Sequence, residues 1–174
     1  MKKIWILLGL AVCLLGSGCG YTTQSALPPH LKSLYVETIK NKIDFTAERR
    51  RTLYYPLLEV KLREAIIDRF LFDGNLRIEE TTKADMILTG ELVNYTKGIL
   101  RYTDEDEAEE YRVQIFMHLT LKDIAQDTVL WSQRIVGEST YFVRGALASS
   151  ESAAVDAAMV DLARRVVERT VENW

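Results

Sequence analysis

Few side chains in this sequence could do covalent or metal chemistry. The cysteines are Cys13 and Cys19, and the histidines are His30 and His118. A thiolate or imidazole metal cage needs such residues at ligand spacing, and neither histidine has a partner of that kind, so no metal site is expected. His30 falls in a polar N-terminal stretch and His118 on the outward side of a strand, poor positions for a Ser-His-Asp triad. The sequence holds no glycine-rich phosphate loop and no G-x-S-x-G elbow. A carboxylate pair stays open, since any fold can bring two together. The expectation is a protein that is not an enzyme and has no catalytic residue and no cofactor.

The one cysteine with a clear chemical context is Cys19. Met1-Lys2-Lys3 is followed by an apolar run, Ile4 to Leu15, and then by Gly16-Ser17-Gly18-Cys19. Spanning a bilayer takes about 20 apolar residues, so the run is short for a permanent anchor and has the length of a signal-peptide core. Small residues leading into a cysteine resemble the lipobox of bacterial lipoproteins, with Gly16 where leucine is usual. There the thiol is acylated, with chains such as palmitate, and becomes the first mature residue. Each buried methylene adds ~0.8 kcal/mol to such an anchor, and two or more chains make it stable. Cys13 follows Val12 and is a poor alternative. In lipoproteins an aspartate after the cysteine commonly signals inner-membrane retention; here it is Gly20, which favours the outer membrane. Residues 1–18 are read as the signal peptide, 19–32 as a lipidated tether and 33–174 as one domain.

Removing residues 1–18 takes Lys2 and Lys3 from the 22 basic residues, leaving 20 against 25 acidic, a formal −5. A domain of that sign is no general binder of polyanions, so nucleic acid is not an expected partner. Local charge is denser at Arg49-Arg50-Arg51 and in the run Asp104 to Glu110. The arginines read as a solvated loop or a headgroup contact. The acidic run reads as a solvated hairpin end, a contact with a partner's basic rim, or a cation site.

The elements that must position these residues follow from periodicity. Leu34 to Ile39 reads as a strand. A helix starts near the Thr52 cap and Pro56, carries Tyr55, Leu58, Leu62, Ala65 and Ile66 on one face, and stops at Asp73-Gly74-Asn75. Leu76 to Glu80 is a short strand, and residues 84–96 alternate with Met86, Leu88, Gly90 and Leu92 on one side. Over 111–121 the alternation is strongest: Tyr111, Val113, Ile115, Met117, Leu119 and Leu121 face one way, and Arg112, Gln114, Phe116, His118 and Thr120 the other. Val129 to Glu138 makes the next strand, with Trp131 inward. A helix from Ser150 to Asn173, capped by Ser149 or Ser150, buries Val155, Ala158, Met159, Leu162 and Val166. The order β-α-β-β-β-β-α predicts an α+β two-layer sandwich, with two helices on one face of a mostly antiparallel sheet of about four to five strands.

Taken in order, several segments resemble the LptE family of lipopolysaccharide-assembly lipoproteins. They are Cys19-Gly20-Tyr21, Leu27-Pro28-Pro29-His30-Leu31, Lys83 to Gly90, Glu109-Glu110-Tyr111-Arg112-Val113, Thr128 to Ser132 and the Ala-rich helix through Ser152-Ala153-Ala154. The resemblance implies the same sandwich, and a protein that plugs the large outer-membrane β-barrel LptD and helps deliver lipopolysaccharide to the outer leaflet. It also implies lipid anchoring in the outer membrane, facing the periplasm or the barrel lumen. A barrel lumen is polar, so a plug needs a polar exterior such as this sheet presents. Family members are thought to touch lipopolysaccharide through basic residues near loop ends, which here points to Lys97, Arg101 and Arg144. The alternative is a periplasm-facing lipoprotein adaptor for another envelope machine, a cell-wall synthase activator or an export-channel component.

Overall fold

The computed structural model describes residues 27–43 and 55–171. The signal segment, Cys19, the Thr52 cap and Arg49-Arg50-Arg51 lie outside them. Strands β1 (Ser33–Val36) and β2 (Lys40–Asn41) precede helix α1 (Leu58–Asp73) and strand β3 (Arg77–Ile78). Three long strands follow, β4 (Met86–Tyr102), β5 (Ala108–Asp123) and β6 (Thr128–Phe142), and helix α2 (Glu151–Val171) ends the described chain. The fold is α+β.

The sheet has six strands and is mixed, where four or five mostly antiparallel strands were expected. Its path is β3-β1-β4-β5-β6, with β2 also on β4. Pairings β4–β5 and β5–β6 are antiparallel, whereas β1 is parallel to both β3 and β4, and β2 is parallel to β4. Tight hairpins can join only antiparallel neighbours, and a parallel pair needs a crossover. Helix α1 supplies it between β1 and β3. The second strand on β4 escaped the periodicity because it is two residues long and both are exposed.

Apolar alternation builds the core. Val113, Ile115, Met117, Leu119 and Leu121 are buried on the helix side of β5, as the pattern predicts. Against them pack Leu58, Leu62, Ile66 and Phe70 of α1, spaced by four, and Val155, Ala158, Met159, Leu162 and Val166 of α2. Burial of this kind stabilises by about 25 cal/mol for each Å² of apolar surface. Gly74, at φ 76°, ends α1 by donating its N–H to the Phe70 carbonyl at 3.0 Å. The Ser150 hydroxyl accepts the Ala153 N–H at 3.1 Å and caps α2.

Strand β6 forms an edge of the sheet. Helix α2 sits directly on its backbone at Gly137, where an added Cβ would stand 2.3 Å from the Ala158 carbonyl oxygen and 2.4 Å from the Leu162 Cβ. One residue on, the Asp161 carboxylate accepts the Glu138 N–H at 3.1 Å. Asp161 is also held by Arg164 at 2.6 Å and Arg165 at 2.8 Å. At the top of the strand, Phe142 bridges to Ala148 and accepts the Ser149 N–H.

Candidate functional site

The long strands give the molecule two ends with different polar chemistry. At one end the described chain enters. Leu27 and Leu31 are buried, so packing begins ahead of β1. Asp85, just before β4, takes three donors on Oδ2: the N–H groups of Lys32 and Ser33, each at 2.9 Å, and the Ser33 hydroxyl at 2.7 Å. Burial alone would raise the Asp85 carboxyl, but these bonds together hold it below its ordinary value. Asp123, buried at the end of β5, accepts the Gln126 N–H at 2.9 Å and faces His30 Nε2 at 3.1 Å. The Gln126 bond, helped by His30, lowers the Asp123 carboxyl against its burial. These two carboxylates fasten the entry segment and the β5–β6 turn to the sheet.

At the far end the three basic residues singled out by the sequence come together around the β4–β5 hairpin, the end of β6 and the start of α2. Each faces a carboxylate. Lys97 Nζ lies 2.6 Å from Glu151 Oε2 and 5.6 Å over the Tyr111 ring. Arg101 Nη2 lies 3.6 Å from Glu110, with its guanidinium 5.7 Å from the centre of the Phe142 ring. Arg144 pairs with Glu107. Two of these partners belong to the acidic run, so the run supplies intramolecular counter-ions. The tip is shaped by Thr103, whose N–H donates to the Glu107 carbonyl at 2.8 Å while its hydroxyl accepts the Glu107 N–H at 3.2 Å.

Glu151 is the hub of this end. Tyr95 donates to its Oε1 at 3.0 Å, and Tyr141, which stacks on Tyr111 with ring centres 5.5 Å apart, also favours its charged form. Burial would raise the carboxyl, but the bonds from Lys97 and Tyr95 outweigh it and leave Glu151 below its ordinary value. The Glu151 bond raises Lys97, and burial with the nearby Glu151 charge raises Tyr95. The network therefore holds one fixed negative and one fixed positive charge across neutral pH.

Around these pairs lies an exposed apolar collar: Ile99, Leu100, Tyr102, Val143 and Leu147, the last 74% exposed. A shallow cleft of about 240 Å³ runs beside it, lined by Thr96, Lys97, Gly98, Ile99, Leu100, Arg112 and Gln114. Arg112 is exposed, and no carboxylate pairs with it among the described residues. The alternation of β5 puts Arg112 on the outward face, and its cross-strand neighbour Gly98, which the sequence pattern alone does not pair with it, leaves the guanidinium open. On the same outward face Arg134 stacks on Phe116 at 4.6 Å. Together the end offers cations beside apolar surface, an arrangement suited to an amphipathic anion. Among the described residues no three His, Cys, Asp or Glu side chains could hold a metal ion, and no helix is long and apolar enough to cross a membrane.

The family model of LptE, lipopolysaccharide-assembly, matches residues 31–170. The chain belongs to the LptE family. That places it among lipopolysaccharide-assembly proteins, and the match runs from the buried Leu31 to the last turn of α2. The LptE fold here is similar to solved structures at low identity. A hypothetical protein from Chlamydia trachomatis superposes with a TM-score of 0.60 at 11% identity, over 80% of this chain and 95% of that one. A protein from Xanthomonas campestris gives 0.53 at 13%, over 82% and 88%. At such identities the likeness shows the fold alone. No curated protein matches the sequence.

Proposed function

We propose that this LptE-family protein is a non-catalytic outer-membrane lipoprotein, anchored by acyl chains on Cys19, that seats in the LptD β-barrel, assists its assembly and helps deliver lipopolysaccharide to the outer leaflet. Residues 1–18 are its signal peptide, 19–32 its lipidated tether and 33–174 its working domain. The observation that carries the reading is the family match across residues 31–170. The polar outward face of the sheet is compatible with a barrel lumen, which is itself polar.

In this reading Lys97, Arg101 and Arg144 meet the phosphates of lipopolysaccharide, and Arg112 joins them. Each paired cation would turn from its carboxylate to a phosphate, and the carboxylate left behind, most of all the buried Glu110, opposes that exchange. The test is capture of the tagged, acylated protein from membranes in mild detergent, with the co-purifying proteins identified by mass. A large outer-membrane β-barrel in near-equal amount is the expected result. Recovery alone, or with a cell-wall enzyme, would remove the plug and leave the adaptor.

A further inference from the structure

Exposed large apolar side chains gather at both ends of the sheet, and those at the entry end have no role so far. Phe72 is 80% exposed and Leu71 59%, both in the last turn of α1. Val129, 58% exposed, opens β6, and Ile124, 39% exposed, sits in the β5–β6 turn. The Ile124 N–H donates to the Asp85 carbonyl beside the start of β4, and the Arg77 N–H to the Lys32 carbonyl, so the β5–β6 turn and the end of α1 share the end of the sheet at which the described chain enters. Exposed Lys32 and Arg77 lie there too, and the Arg69 guanidinium covers the Phe72 ring at 5.1 Å.

We infer that this entry end, through Phe72, Leu71, Ile124 and Val129 with Lys32 and Arg77 beside them, rests on the surface of the lipid leaflet that holds the acyl chains. The occupant follows from chain length. From Cys19 to the buried Leu27 is eight residues, a reach of at most about 28 Å. Strand β4 alone has 17 residues, about 55 Å long at ~3.3 Å each. A lipid on Cys19 therefore keeps the entry end within reach of the headgroups, and a molecule standing on that end carries the hairpin away from them. Exposed apolar side chains are what a bilayer surface takes up, and Lys32 and Arg77 offset the carboxylates of Asp73 and Asp127 that lie among them. The inference rests on the lipoprotein reading and not on the barrel.

The mature chain has no thiol except Cys19, so engineered cysteines can be labelled singly. The acylated protein would carry a nitroxide at Phe72→Cys, Ile124→Cys, Val160→Cys or Glu105→Cys, in vesicles of phosphatidylethanolamine and phosphatidylglycerol without any barrel. The ratio of oxygen to nickel-chelate accessibility should be several-fold higher at 72 and 124 than at 105 at the hairpin tip, with 160 on the outer face of α2 (Val160 is 62% exposed) resembling 105. In a Phe72→Glu, Ile124→Glu background, a label at Val129→Cys should lose its lipid signature while the protein still floats with the vesicles. Equal aqueous exposure at all four positions would overturn the inference, and so would lipid contact at 105 or 160, which means a molecule lying flat. Intact mass separates the two levels: an unmodified Cys19 removes the lipoprotein reading and this one with it, whereas a correct lipid mass with water-exposed 72 and 124 removes this one alone.

Discussion

The two ends of the sheet use the same kind of residue for opposite purposes. At the entry end Asp85 and Asp123 direct their oxygens largely to backbone N–H groups, whose positions the fold fixes. At the hairpin end Glu107, Glu110 and Glu151 hold the long side chains of Arg144, Arg101 and Lys97, each of which can turn to another anion. A carboxylate bonded to backbone fixes a conformation; one bonded to a lysine or arginine keeps a charge in reserve. The entry end is built to stay, and the hairpin end to trade.

The sharpest way to break the comparison is Asp85→Ala, which takes the acceptor from the Lys32 and Ser33 donors. A loss of about 2 kcal/mol is expected in urea unfolding, since the buried Ser33 loses its partner while the exposed Lys32 N–H can turn to water. A loss no greater than that at the hairpin would erase the distinction. Next in size is Glu151→Gln, which removes one partner of a half-buried pair; about 1 kcal/mol is expected by the same measurement.

Acid should weaken both ends. Glu151 titrates below its ordinary 4.5 in the folded protein, so its contribution is complete above that value and is lost as pH falls through the lower folded one. Asp85, likewise lowered from its ordinary 3.8, follows the same sign. The stability gap between wild type and Glu151→Gln, and that with Asp85→Ala, should therefore both narrow on acidification below the ordinary carboxylate range, in denaturation followed at a series of pH values. Smallest of all is Glu107→Gln at the exposed tip, with under about 0.5 kcal/mol expected. The same change should strengthen lipopolysaccharide binding measured with the purified protein, because it frees Arg144; weaker binding would argue that the tip carboxylate itself is needed.

The parts legible in the sequence are those set by period and by turn chemistry. The inward row of β5 shows because one face is buried and the other is not, and Gly74 shows because only a glycine takes φ 76° without strain. The parts not legible depend on neighbours far along the chain. Lys97 to Tyr102 carry no alternation, being exposed throughout, yet they are strand because β5 supplies their hydrogen bonds. Strands β2 and β3, at two residues each, are too short for a period. The pairing of Lys97 with Glu151 spans 54 residues, and that of Arg144 with Glu107 spans 37. Sequence could nominate those cations, but it could not say that the acidic run already answers two of them.

The seating of α2 on Gly137 has a consequence for life at a crowded surface. An open strand edge is a template on which a second chain can pair, and β6 is 15 residues long. On the proposed lipoprotein reading, copies tethered to one leaflet would share a thin layer, and their effective concentration would far exceed that in solution. With the Glu138 N–H taken by Asp161 and the helix pressed on the neighbouring glycine, that template is broken in its middle. The fold thereby resists pairing of one copy's β6 with another's.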